Sequence, residues 1–142
     1  MRAPENVASG DAIPLASVEL LVAAVSEIET AAAEPTAALR YVRSHLVARR
    51  AAAAVLAARA RPDRRGGHRP RSVWEVLPRV APELTEWALF FSAAAGQCAA
   101  AEAGITDAVS AREADDMVRD AHNFLDRVVV ALSRGIRRSS AG

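Results

Sequence analysis

Three histidines and eighteen arginines, with no lysine, are the residues of this 142-residue chain best suited to chemistry. Histidine titrates near neutral pH and can act as general acid or base, while arginine presents a planar fork of donors that fits phosphate oxygens. His45 follows Arg40 with four residues between, His68 follows Arg61 with six, and His122 stands three positions after Arg119. Arg40 with His45 is the first candidate catalytic pair, and Arg119 with His122 the alternative. At 100° per helical residue, His45 falls about 100° to one side of Leu46 and Arg40 about 120° to the other, so they converge only across a partner copy or a bend. His122 falls on the shoulder of its helix, where Asp115–Arg119 and His122–Asp126 have the i,i+4 spacing of surface pairs.

The arginines are concentrated. Residues 40–79 hold eleven of them against Asp63 and Glu75, whereas residues 1–39 hold one against six acids and residues 80–134 hold four against nine. The formal total is only +1 because acidic stretches flank a basic one. Arg59, Arg61, Arg64, Arg65, His68, Arg69 and Arg71 surround the Gly66-Gly67 pair and form the candidate nucleic-acid-binding group, suited to RNA or a nucleotide. A competing use of the same charges is docking on the chain's own acidic residues, Glu83, Glu86, Asp115 and Asp116, or on those of a second copy. Arginine in place of lysine in a chain with 34 alanines also fits GC-rich coding, so position says more than residue choice.

Several classes are not supported. The single Cys98 allows no intrachain disulfide and no cysteine-built zinc site, and its place in an apolar helical stripe makes it a small core residue. No metal and no cofactor is expected. Gly66-Gly67 stands alone and makes no phosphate-binding glycine loop, and no serine or cysteine nucleophile has a convincing base. Residues 1–14 do not read as an export signal, and the most apolar run, 88–101, is shorter than the roughly 20 residues a bilayer requires. These features predict a cytoplasmic protein that does not enter a membrane.

The composition, 51% hydrophobic with 4% aromatic residues and alanine in excess, predicts one all-α domain. Periodicity places helices at about 15–33, with a stripe of Val18, Leu21, Val22, Val25, Ile28 and Ala32, and at about 35–60, with a seam of Leu39, Val42, Leu46, Ala53 and Leu56. Arg49 fills a seam position, and a buried ion pair with Glu19, Glu86 or an acid of the last helix is expected for it. After a loop at 61–71, Ser72 and Glu75 have capping-box spacing and start a short helix limited by Pro78 and Pro82. Leu84, Trp87, Phe91, Ala94, Cys98 and Ala101 mark the next helix, ended by Gly104. Ser110 and Glu113 cap the last one, whose stripe runs from Ala114 to Leu132 and stops at Gly135. The expected organisation is a disordered segment at 1–14, a four-helix-bundle-like domain at 15–134 with a short extra helix after the basic loop, and a flexible basic tail at 135–142.

In three segments, Tyr41 to Arg59, Ser72 to Phe91 and Arg112 to Leu125, the chain resembles a small actinobacterial branch of the HEPN superfamily, the higher-eukaryote and prokaryote nucleotide-binding helical domains. The likeness lies in a histidine-bearing alanine-rich second helix, a basic loop, a tryptophan-proline segment and an acidic final helix. It implies a helical bundle that commonly dimerises and that serves as an RNA-cleaving toxin, as the partner of a nucleotidyltransferase or as a silent helper. Active members carry Arg-x(4–6)-His, usually in a late helix, so Arg119 and His122 break the spacing while Arg40/His45 and Arg61/His68 keep it outside the usual element. The function expected is a non-catalytic module binding RNA, a nucleotide or a protein partner, as a homodimer. The alternatives are a metal-independent ribonuclease, with His45 as acid or base and Arg40 stabilising phosphorane charge, and a purely structural interaction module.

Overall fold

The structure, a computed structural model, describes residues 12–60 and 72–141, with side chains through Arg134. The described residues form helices α1 (Leu15–Ala32), α2 (Ala37–Arg59), α3 (Val73–Val80), a 3₁₀ turn (Pro82–Leu84), α4 (Thr85–Glu102) and α5 (Ala111–Ala141), with no strand among them.

Local chemistry explains most boundaries. Thr36, rather than Pro35, opens α2: its hydroxyl accepts from the Leu39 N–H at 3.4 Å. Ser72 caps α3 by accepting from the Trp74 N–H at 3.2 Å. That helix runs through Pro78 to Val80, because a proline late in a short helix removes one hydrogen bond without ending it. Gly104 adopts φ +77°, the left-handed conformation that closes α4, and its N–H donates to the Ala101 carbonyl at 3.1 Å. At the start of α5, the Ser110 N–H donates to Glu113 Oε1 and the Glu113 N–H to Ser110 Oγ, each at 3.0 Å, which is the reciprocal capping box the spacing predicts. The stop expected at Gly135 does not occur: the backbone stays helical to Ala141. One interior glycine costs only about 1 kcal/mol against alanine, and the residues after it continue the helix.

Side-chain ties fix the directions. Ser17 Oγ donates to the Ala54 carbonyl at 2.8 Å, and Arg43 pairs with Glu34 at 2.9 Å, so α1 and α2 run antiparallel. Arg40 reaches Asp115 at the start of α5, and Arg59 shares a cavity with Arg127 and Arg134 near its end, so α2 and α5 run parallel. Tyr41 donates to Gln97 at 3.0 Å while His45 meets Phe91 nearer the start of α4, which makes α4 antiparallel to both. The result is an up-and-down four-helix arrangement with α3 inserted beside α2 and α4.

The buried faces of α1 and α2 differ from those the periodicity predicts. On α2 the buried residues are Tyr41, Ser44, His45, Val47, Ala48, Ala51, Ala52, Ala54 and Val55. The expected seam lies on the opposite side: Leu39 is exposed, and Val42, Leu46, Ala53 and Leu56 are half-buried. The cause is the position of α2 against every other helix. Close approach by several neighbours favours small side chains, so the alanine face is the inner one and the larger aliphatics fill its shoulders. Arg49, expected in the seam, is exposed. On α1 the inner face is Ser17, Ala24, Ile28 and Ala31, while Val18, Val22 and Val25 of the predicted stripe are exposed, as is Leu15. On α5 the predicted stripe holds: Ala114, Met117, Ala121, Phe124, Leu125, Val128 and Leu132 are buried, and Val118, also in that stripe, is half-buried.

Candidate nucleic-acid interface

The candidate residues divide into three environments. His45 is 1% exposed, and its Nε2–H donates to the Phe91 carbonyl at 2.9 Å. The ring packs edge-on against Trp74 and Phe91, with centroids 5.9 Å away in each case. The shoulder position expected for it is therefore wrong, since its flank of α2 is covered by α3 and α4. Burial holds its pKa below the usual histidine value; the nearby Arg49 charge also lowers it, while the Phe91 carbonyl and Glu102 oppose the shift. Arg40 points elsewhere: its Nε donates to Asp115 at 3.0 Å and its Nη1 to the Glu34 carbonyl at 2.9 Å. The chain therefore does not bring Arg40 and His45 together.

Arg119 and His122 are exposed among carboxylates. Arg119 pairs with Asp116 at 3.0 Å and Asp120 at 3.4 Å rather than with Asp115, which Arg40 has taken. His122 Nδ1 lies 3.5 Å from Asp126, the expected i,i+4 pair. That acidic flank is a poor place for a phosphate. Cys98 is buried as expected, and burial pushes its thiol up to about 11, so it offers no thiolate near neutral pH. Among the described residues no cluster of three His, Cys, Asp or Glu side chains could hold a metal, and no helix is long and apolar enough to cross a membrane.

The third environment is the end of the bundle where α2 runs out toward the arginine-rich segment. Arg59, in the last turn of α2, donates to Glu83 Oε2 at 2.7 Å, and its Nη1 lies 3.5 Å from the Val80 carbonyl. This bond holds the Glu83 carboxyl below the usual glutamate range, aided by the Arg127 charge. One use of Arg59 is therefore the intramolecular docking that the sequence offers as the alternative. Beside this pair lies a cavity of about 540 Å³ whose basic lining residues are Arg59, Arg127 and Arg134, with Val130 and Ala131 between the two on α5. Arg127 and Arg134 are exposed and take part in no ion pair among the described residues. Arg61, Arg64, Arg65, His68, Arg69 and Arg71 lie outside the described residues, in the segment that begins two positions after Arg59.

Arg127, Arg134 and Glu83 do not stand out in a search by charge density along the chain. A search by helical register finds two of them: arginines seven apart on one helix return to the same face after two turns.

A scan of protein families matches residues 31–129 to the model described as HEPN_SAV_6107-like HEPN, which covers more than half of the chain. The chain belongs to this HEPN family. The match begins at the last two residues of α1, spans α2, α3 and α4, and ends within α5 after Arg127. This HEPN chain matches no curated protein and no solved structure.

Proposed function

We propose that this HEPN chain is a non-catalytic binding module that holds a phosphate polyanion, RNA or a nucleotide, at the arginine-bearing end of its bundle. The observation that carries the proposal is the convergence of Arg59, Arg127 and Arg134 on one cavity, at the point where the chain enters a segment with five more arginines. Guanidinium groups match phosphate oxygens two at a time, and a surplus of them at one end focuses the potential there. Cleavage by Arg40 and His45 lacks support, because the histidine's polar edge is committed to the Phe91 carbonyl in the aromatic core. Single-stranded RNA binding should weaken linearly in log affinity with log salt, by about 0.7 per neutralised phosphate. In the R64Q/R65Q/R69Q variant this slope should flatten by about 2 if each arginine neutralises one phosphate. Absence of salt-dependent binding at low ionic strength would contradict the proposal.

The same module is proposed to work as a homodimer through the outer face of α1. Leu15, Val18, Val22 and Val25 are 72%, 40%, 62% and 54% exposed and recur at the three-and-four spacing of a helix-pairing seam. An apolar stripe on both sides of one helix leaves the outer side to be covered by something else. Val22→Glu is expected to move the particle from the dimer to the monomer mass in light scattering; a monomeric parent chain would remove this part of the proposal.

A further inference from the structure

The cavity beside Arg59 carries more chemical information than a general basic patch. Its charged lining is three guanidiniums and one carboxylate, and the carboxylate of Glu83 is already engaged by Arg59. That leaves the charges of Arg127 and Arg134 free of a carboxylate partner among the described residues, a local surplus of two. An internal phosphodiester brings one negative charge, whereas a phosphate monoester brings about 1.5 to 2 near neutral pH and three terminal oxygens. The two arginines stand two helical turns apart, about 10 Å along the axis, with Val130 and Ala131 on the turn between. Long side chains on either side of a small apolar floor can close on one compact anion from both flanks.

The remaining walls are apolar. Val80 of α3 and Pro82 and Leu84 of the 3₁₀ turn line it together with Val130 and Ala131 of α5. A volume of about 540 Å³ exceeds what a bare phosphate ion needs and lies within the range of roughly 300–1,000 Å³ typical of small-molecule sites. Such walls suit the sugar and base carried by a terminal phosphate. We propose that this cavity receives the 5′-terminal phosphate monoester of a nucleotide or RNA strand, with Arg127 and Arg134 as its phosphate clamp and the apolar walls against the first nucleoside. The assignment rests on the polyanion reading above and sharpens it: within that reading, α5 recognises the end of the strand.

The test uses the full chain and a ten-nucleotide RNA labelled at its 3′ end, carrying either a 5′-monophosphate or a 5′-hydroxyl, with binding followed by fluorescence anisotropy. The phosphorylated strand should bind about tenfold tighter, and R127Q/R134Q should remove the difference. Both arginines are exposed, so the variant should keep the parent circular dichroism and melting temperature, while R112Q, remote on the first turn of α5, should keep the preference. The preference should shrink below about pH 6, where the monoester loses its second charge. AMP should compete and adenosine should not. Equal affinity for the two strands, or a preference that survives R127Q/R134Q, overturns the assignment and leaves general RNA binding intact. AMP binding that depends on Arg127 and Arg134, without any RNA binding, supports the clamp and overturns the RNA part of the function. No binding of either overturns both.

Discussion

Phe91→Ala should lower the unfolding free energy by about 3–5 kcal/mol, the range for removing a large buried aromatic side chain. Phe91 is 0% exposed and lies at the centre of the aromatic cluster. Its ring stacks on Trp74 at 5.1 Å and Trp87 at 6.0 Å, meets Phe124 of α5 at 5.1 Å, and has Phe90 and His45 at its edges. With so much alanine elsewhere, these few rings span the space between α3, α4 and α5. The gap left by alanine cannot close, because Trp74 and Phe124 are themselves anchored in different helices. Against a usual domain stability of about 5–15 kcal/mol, the variant would be marginal or unfolded at 37 °C. Urea denaturation followed by tryptophan fluorescence checks this, and a loss below about 1 kcal/mol would show that the rings are not the joint between these helices.

His45→Ala should cost about 2–4 kcal/mol, combining lost packing with the loss of the ring's buried hydrogen bond to the Phe91 carbonyl. It should also change the pH dependence of stability. His45 has a folded-state pKa below its value in the unfolded chain, chiefly through burial. As pH falls, the unfolded chain takes up the proton first, so the stabilisation is complete above about pH 6.5 and is lost as pH falls toward the folded-state value. The parent melting temperature should drop as pH falls below about 6.5, and the drop should be smaller in His45→Ala. A parent curve that stays flat below that pH would contradict the buried neutral ring.

The sequence was most legible where a local rule determines the outcome. The Ser110–Glu113 box, the Gly104 stop and the α5 stripe each follow from the residues within one or two turns. Less legible was which face of a helix is inner when several neighbours compete for it. In α2 the aliphatics Leu39, Val42 and Leu46 suggest one seam, yet close packing selects Ala48, Ala51 and Val55 on the other side and carries His45 into the core with them. Arg49 and His45 exchanged their expected environments for that single reason. In α1 two apolar stripes exist, and sequence alone does not say which one its own bundle uses. The basic end was legible as charge but only half legible as a site: Arg59 belongs to the arginine-rich stretch, whereas Arg127 and Arg134 sit in a helix whose arginines are interspersed with five carboxylates.

The central claim, that the arginine-bearing end of the bundle is where phosphate binds, is tested most directly by following the backbone amide signals of the isotope-labelled full chain as single-stranded RNA is added. The account predicts shifts concentrated at Arg59, at residues 80–84 and along residues 127–134. Shifts centred instead on Asp116, Arg119 and His122, or no saturable shift at low salt, would contradict it.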